Sequence, residues 1–329
     1  MTRNTICDVP GLSVGQAEDP RIATGVTAIL FETPCVASIS VGGGAPGLRD
    51  TALLQPGMTV ERIDAVVLSG GSAFGLDSMG GAQAFLRERG RGFRIGEAVI
   101  PIVPGAILFD LLNGGDKDWG PEPVYWRLGY QAAAKAGLDF ELGTAGAGYG
   151  ATTATYKGGL GSASAVTPSG FTVGAIVAVN ALGSATIGDG PHFWAAPYER
   201  ASEFGGLGWP APFPAEALDL RVKGARPENT TIALVATDAA LTKAEAKRIA
   251  VMAQDGLARA LRPVHAAFDG DTVFVAATAR AAQPPSAVGL LEIGALAADS
   301  LARAVARAIF EAKALPFPGA VPDWRSRFA

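Results

Sequence analysis

The stretch Asn229-Thr230-Thr231-Ile232-Ala233-Leu234-Val235-Ala236 joins a turn-rich segment to an unbroken apolar run. From Thr230 onward the residues are β-branched or small and apolar, without alternating polarity. That pattern reads as a strand covered on both faces. Such strands lie inside layered α/β domains, with helices outside them. Downstream, Thr242-Lys243-Ala244-Glu245 fits a capping box and opens a helix to about residue 261. Residues 272–277 read as a strand and 288–312 as a long Ala/Leu helix. Upstream, 160–167 and 171–180 read as a hairpin turning at Pro168-Ser169-Gly170. Residues 24–31, 36–41 and 65–69 read as strands, and 75–89 and 123–136 as helices closed by Gly90 and Gly137. Residues 189 to about 228 carry turn formers without periodicity, as a domain linker or a long loop does.

Composition narrows the function classes. The chain has 329 residues, 49% hydrophobic and 18% charged, which excludes disorder. Its formal charge is −4 and it has no basic run, so no nucleic-acid partner is expected. No apolar stretch reaches the ~18 residues of a membrane helix, and the first residues lack a signal-peptide core. No membrane partner and a cytoplasmic location are therefore expected. Cys7 and Cys35 form no CxxC and read as buried thiols of a reducing compartment. With only His192 and His265, a histidine metal site is not expected.

The chemistry-bearing candidates are few. Gly70-Gly71-Ser72-Ala73-Phe74-Gly75 lies between a strand and a helix, but it is neither GxGxxG nor a Walker loop. It reads as a closely packed turn or as a nest of backbone donors. Gly11-Leu12-Ser13-Val14-Gly15 matches GxSxG without a buried strand before it. Asp269-Gly270-Asp271 is a turn, or a pair of carboxylates on a rigid loop. Lys157 is a lone cation among small residues, and Asn180 ends a strand where its amide can donate to an oxyanion. If the Asn229–Thr230 peptide were cut, Thr230 would carry both a hydroxyl and an α-amine. An α-amine has a pKa near 8, so one residue would supply nucleophile and base without a histidine.

Taken together, Pro10-Gly11-Leu12-Ser13-Val14-Gly15-Gln16, Gly70 to Asp77, Lys157-Gly158-Gly159-Leu160-Gly161, Val179-Asn180, Glu228-Asn229-Thr230-Thr231-Ile232 and Asp269-Gly270-Asp271-Thr272 form an ordered set. The sequence resembles the L-aminopeptidase/D-esterase (DmpA-like) family, which includes β-aminopeptidases and the nylon-oligomer endo-hydrolase. The Thr230 and Asp269-Gly270-Asp271 blocks resemble the nylon-oligomer-hydrolase branch. The resemblance implies a four-layer αββα sandwich with N-terminal-nucleophile-hydrolase-like chemistry. Its strand connectivity would be of the DmpA and ornithine acetyltransferase type. It implies a single catalytic domain, 1–329, that cuts itself into 1–229 and 230–329 at Asn229–Thr230. Catalytic roles fall on Thr230, Lys157, Asn180, Asp269 and Asp271, with Asp271 holding the Thr230 amine or hydroxyl and Asp269 supporting it. Gly71, Ser72 and Phe109 are expected at the substrate. Phe109 stands where relatives carry a tyrosine, so that hydroxyl donor is not carried over. The implied substrate is a peptide or small amide, without cofactor or metal, and the implied assembly is a homo-oligomer, a tetramer of processed pairs. An acyltransferase using the same threonine and an uncut binding homologue are the alternatives.

Overall fold

A computed structural model describes residues 2–224 and 229–329. Glu228, which opens one motif above, and the last residues of the turn-rich segment lie outside the described residues. The strands are β1 (Leu12–Asp19), β2 (Thr24–Val41), β3 (Gly47–Arg49), β4 (Arg62–Ser69), β5 (Phe93–Ile95), β6 (Ala98–Ile100), β7 (Gly105–Ile107), β8 (Gly159–Val166), β9 (Thr172–Asn180), β10 (Thr230–Thr237) and β11 (Thr272–Ala277). The principal helices are α1 (Ser78–Glu88), α2 (Tyr125–Ala134), α3 (Lys243–Ala260) and α4 (Ala287–Phe310).

Strand β2 serves both halves of a folded-over sheet. Its first half pairs with β1 and β4. After an irregularity between Leu30 and Cys35, its second half pairs with β11. The hydrogen-bonded path β3-β7-β4-β2-β11-β10-β9-β8, with β1 also on β2, is continuous and folds over at the irregularity in β2 into two facing halves, β1-β2-β4-β7-β3 and β2-β11-β10-β9-β8. Within them, β4–β7 and β10–β11 are parallel and the other pairs antiparallel. The separate readings of 24–31 and 36–41 are thus two halves of one bent strand.

Period-2 geometry then builds four layers. Ile232, Leu234 and Phe274 meet Ile29, Phe31, Val66 and Leu68 between the sheets. Their chain neighbours Ala233, Val235 and Val275 face Ile249, Leu257 and Leu301 on α3 and α4. On the other side Ala28, Leu30 and Val67 face Met79, Phe85 and Leu128 on α1 and α2. The αββα sandwich expected from the sequence is the observed architecture.

Local signals explain most boundaries. Thr242 caps α3 in a complete capping box with Glu245. Helix α1 starts at Ser78, later than expected, because Ser72–Asp77 is a 3-10 turn. Strand β1 was not legible: Gly15 sits in its middle against the α2 backbone, where a Cβ would come 2.0 Å from the Ala132 carbonyl. The described part of the turn-rich segment is no linker. Its Phe193 packs against both Phe204 and Trp324, and Glu203 pairs with the buried Arg303 at 2.5 Å. Both cysteines are buried, and burial pushes the Cys7 thiol up to about 12. Neither is set up as a nucleophile.

Leu234 is fully buried between the sheets. Leu234→Ala is expected to lower unfolding stability by about 2–5 kcal/mol, read by denaturant titration.

Candidate active site

Three strands converge on the Asn229–Thr230 peptide. Thr230 opens β10 directly opposite Asn180, the last residue of β9, so their side chains share a face. On the other side the parallel register Ile232↔Thr272 continues back to an Asn229↔Asp269 bridge, bringing Thr230 beside Gly270. Asn229 and Thr230 are 2% and 5% exposed.

The scissile carbonyl expected from the sequence is held from two directions. Gly270 N–H donates to the Asn229 oxygen at 2.9 Å. Thr230 Oγ1 lies 2.5 Å from the same oxygen. Glycine is required at 270, because a Cβ there would come 2.7 Å from Thr230 Oγ1. The loop carrying it is tied to the end of β2: Gly42 and Gly43 N–H donate to the Asp271 carbonyl, and Ala45 N–H to that of Asp269.

The two aspartates have different partners. Asp271 Oδ1 accepts Thr231 N–H at 2.8 Å, one residue beyond the expected contact with Thr230. Asp271 Oδ2 accepts both the main-chain N–H and Nδ1 of His265, at 3.0 and 2.9 Å. Asp269 Oδ2 accepts Ala266 N–H, while its buried Oδ1 has no hydrogen-bond partner among the described residues. Burial, then the Asp271 charge, pushes the Asp269 carboxyl up to about 6. The open acceptor of the pair is thus on Asp269, which is bridged to Asn229.

Lys157 is fully buried and donates to the carbonyls of Gly148, Ala151 and Gly158 at 3.0, 2.7 and 2.8 Å. Burial, reinforced by the Lys223 charge and opposed by Asp110, lowers its amine to about 7. Asn180 Nδ2 donates to the Phe109 carbonyl at 2.9 Å. Its Oδ1 accepts Thr152 N–H and Lys223 Nζ at 3.0 and 2.8 Å.

A cavity of about 410 Å³ opens on this group. That is within the range of small-molecule sites. Lys157, Lys223, Asn229 and Thr152 form its polar wall; Phe109, Leu112, Leu315 and Phe317 form much of the apolar one. Gly71 and Ser72 stand behind that wall. Their N–H groups are used on Asp110 Oδ1 and the Leu108 carbonyl, so they form no open nest. Asp110, buried and also bonded to Thr24 at 2.7 Å, carries their influence to the cavity. The structure therefore joins Thr230, Asn180, Asp269, Asp271, Lys157 and Phe109, and sets Gly71 and Ser72 one layer back. Sequence reasoning missed Asp110, Lys223 and His265. The last two lie in segments without periodicity, where no signal in the sequence marked them.

The model of Peptidase family S58 matches residues 4–320. This chain belongs to that family. It is an amide-bond hydrolase. A Mycobacterium tuberculosis protein described as an uncharacterized aminopeptidase is 42% identical over 346 aligned residues, covering 99% of this chain and 98% of that one. The 6-aminohexanoate-oligomer endohydrolase of Agromyces sp. is 26% identical over 311 residues, covering 91% and 82%. Among solved structures, the L-aminopeptidase D-Ala-esterase/amidase of Ochrobactrum anthropi, described as a new variant among the Ntn hydrolase fold, superposes with a TM-score of 0.71. It shares 21% identity and covers 97% of this S58 chain and 90% of its own.

The raised Asp269 carboxyl has a stability consequence. Between about pH 4 and pH 6 the folded chain binds this proton more tightly than the unfolded chain does, so folding loses stability as pH rises through that window. Asp269→Asn is expected to be more stable than the parent above pH 6, with the difference shrinking toward pH 4, in thermal unfolding across pH.

Proposed function

We propose that the chain activates itself by cutting Asn229–Thr230, and that the freed Thr230 is the nucleophile for amide substrates. The observation that carries this is the pair of contacts on one carbonyl: Thr230 Oγ1 and Gly270 N–H both within hydrogen-bond reach of the Asn229 oxygen. In the uncut chain, Oγ1 attacks the Asn229 carbon and the oxygen takes up negative charge facing Gly270 N–H. The hydroxyl proton passes to the Thr230 nitrogen, the C–N bond breaks with that nitrogen leaving as an amine, and Asn229 is left as an ester on Oγ1. Water hydrolyses that ester, giving an Asn229 carboxylate and a Thr230 that opens the second chain with free amine and hydroxyl.

After the cut, the amine and hydroxyl belong to one residue. The neutral amine takes the hydroxyl proton as Oγ1 attacks a substrate carbonyl. Asp269 Oδ1, buried and open beside the strand end, accepts from the ammonium that forms. The second hydrogen of the Asn180 amide serves as oxyanion donor, and Lys157, its amine spent on three backbone carbonyls, fixes the cavity wall beside it. Because Asn229 is part of the cavity wall, its release extends the cavity to Thr230. The apolar wall of Phe109, Leu112 and Phe317 suits an acyl group with a hydrocarbon body. Relatives named for aminopeptidase, oligoamide and D-Ala ester chemistry frame the substrate panel. Exposed Leu207, Trp209, Phe213, Leu218 and Leu220 support assembly into a homo-oligomer.

Thr230→Ala is expected to remain one chain and to lose turnover on a panel of α-L, β and D p-nitroanilides and a linear amide oligomer. A Thr230→Ala variant with parental activity would reject the nucleophile. Lys157→Ala is expected to slow self-cleavage or turnover by about 10²-fold, as misplacement of the site does when the ties that hold its wall are lost. Parental rates in that variant would leave Lys157 no part in positioning the site.

A further inference from the structure

Asp271 is a buried carboxylate with three donors, and two of them come from one residue. His265 gives its main-chain N–H and its Nδ1 to the same oxygen, Oδ2. It does so from a left-handed backbone, φ 57°, which turns both groups toward the aspartate. The ring lies against the chain leaving β2, where a Cβ on Gly42 would come 2.7 Å from Nδ1. Every part of this arrangement constrains the Asp271 rotamer. With Oδ2 clamped, Oδ1 is directed at Thr231 N–H, one residue behind the proposed nucleophile.

The charge balance leads to the same residue. Facing the ring are Asp271 and Asp269 from its own loop, the Gln254 main chain from α3 and Gly42 from the end of β2. Burial works against the charged ring, but Asp271, then Asp269 and Gln254, raise its basicity above the ordinary histidine value. The ring in turn favours the charged form of Asp269, against burial and the Asp271 charge.

We propose that His265 is a positioning residue: it clamps Asp271 so that Thr231, and with it the new chain end at Thr230, stays in register, and it supplies the positive charge beside the Asp269/Asp271 pair. The inference rests on the nucleophile reading above. Cleavage leaves Thr230 as a strand terminus, and termini fray unless tied. The tie is Thr231 N–H to Asp271, and His265 fixes the far side of that carboxylate.

Two variants test it. His265→Ala removes ring and donor. His265→Asn keeps a short donor near the place of Nδ1, tolerates positive φ and carries no charge. The processed proteins are assayed on the p-nitroanilide turned over fastest by the parent, from pH 5 to 9. His265→Ala is expected to lose about 10–10²-fold in kcat with little change in KM, as misplacement of a reacting group does. His265→Asn is expected to recover most of that loss, yet its acid limb moves up by about one pH unit, because the Thr230 amine and Asp269 have both lost a neighbouring cation. An acid limb that stays in place in His265→Asn, or equal kcat losses in the two variants, overturns the proposal. Failure of both variants to fold overturns it too, since a positioning role leaves the sandwich intact. Turnover by Thr230→Ala would remove the underlying reading instead. A dead Thr230→Ala beside an unmoved His265→Asn profile removes only this inference.

Discussion

The arrangement depends on one carbonyl group. The Asn229 oxygen accepts Gly270 N–H, which fixes the peptide before β10 against the loop before β11. Thr230 Oγ1 reaches that oxygen because β10 is paired on both sides, with β9 antiparallel and β11 parallel. A slip of one residue in either ladder would turn Thr230 to the other face of the sheet. The alternating apolar faces of β10, one between the sheets and one toward α3 and α4, oppose that slip. Packing that builds the fold thereby also aims the chemistry.

Much of this was legible in the sequence, for physical reasons. The run from Thr230 to Ala236 has no polar face, so it had to be an interior strand, and the capping box at Thr242 marked the helix behind it. The β11 range was read as observed, because Asp269-Gly270-Asp271 ends the turn just before it. Elements held by backbone proximity were not readable. Strand β1 has Gly15 where a side chain would signal a face, and β7 is three residues long. The bend in β2 hid two halves of one strand behind the exposed Glu32-Thr33-Pro34.

Within the site, residue types could be read from the sequence, but their partners could not. Asn180, Lys157 and the aspartates stand out by type, yet the division between them is set by register and burial. Parallel pairing sets Asn229 against Asp269, so Asp269 stands beside the Asn229–Thr230 peptide and Asp271 ties Thr231. Burial keeps the Lys157 amine near 7 and the Asp269 carboxyl near 6, so groups of ordinary charge come within reach of proton transfer near neutral pH. His265, one of two histidines in the chain, takes its place only when the 262–271 loop folds against Gly42. The chemistry nonetheless needs no histidine at the reacting atom.

The central claim is that the turnover-competent molecule has a threonine for a chain terminus. Intact mass and N-terminal mapping of active, unmodified protein test it directly. The account predicts two polypeptides, residues 1–229 and 230–329, the second beginning Thr-Thr-Ile-Ala. Active material that proves to be one uninterrupted polypeptide of 329 residues would contradict it.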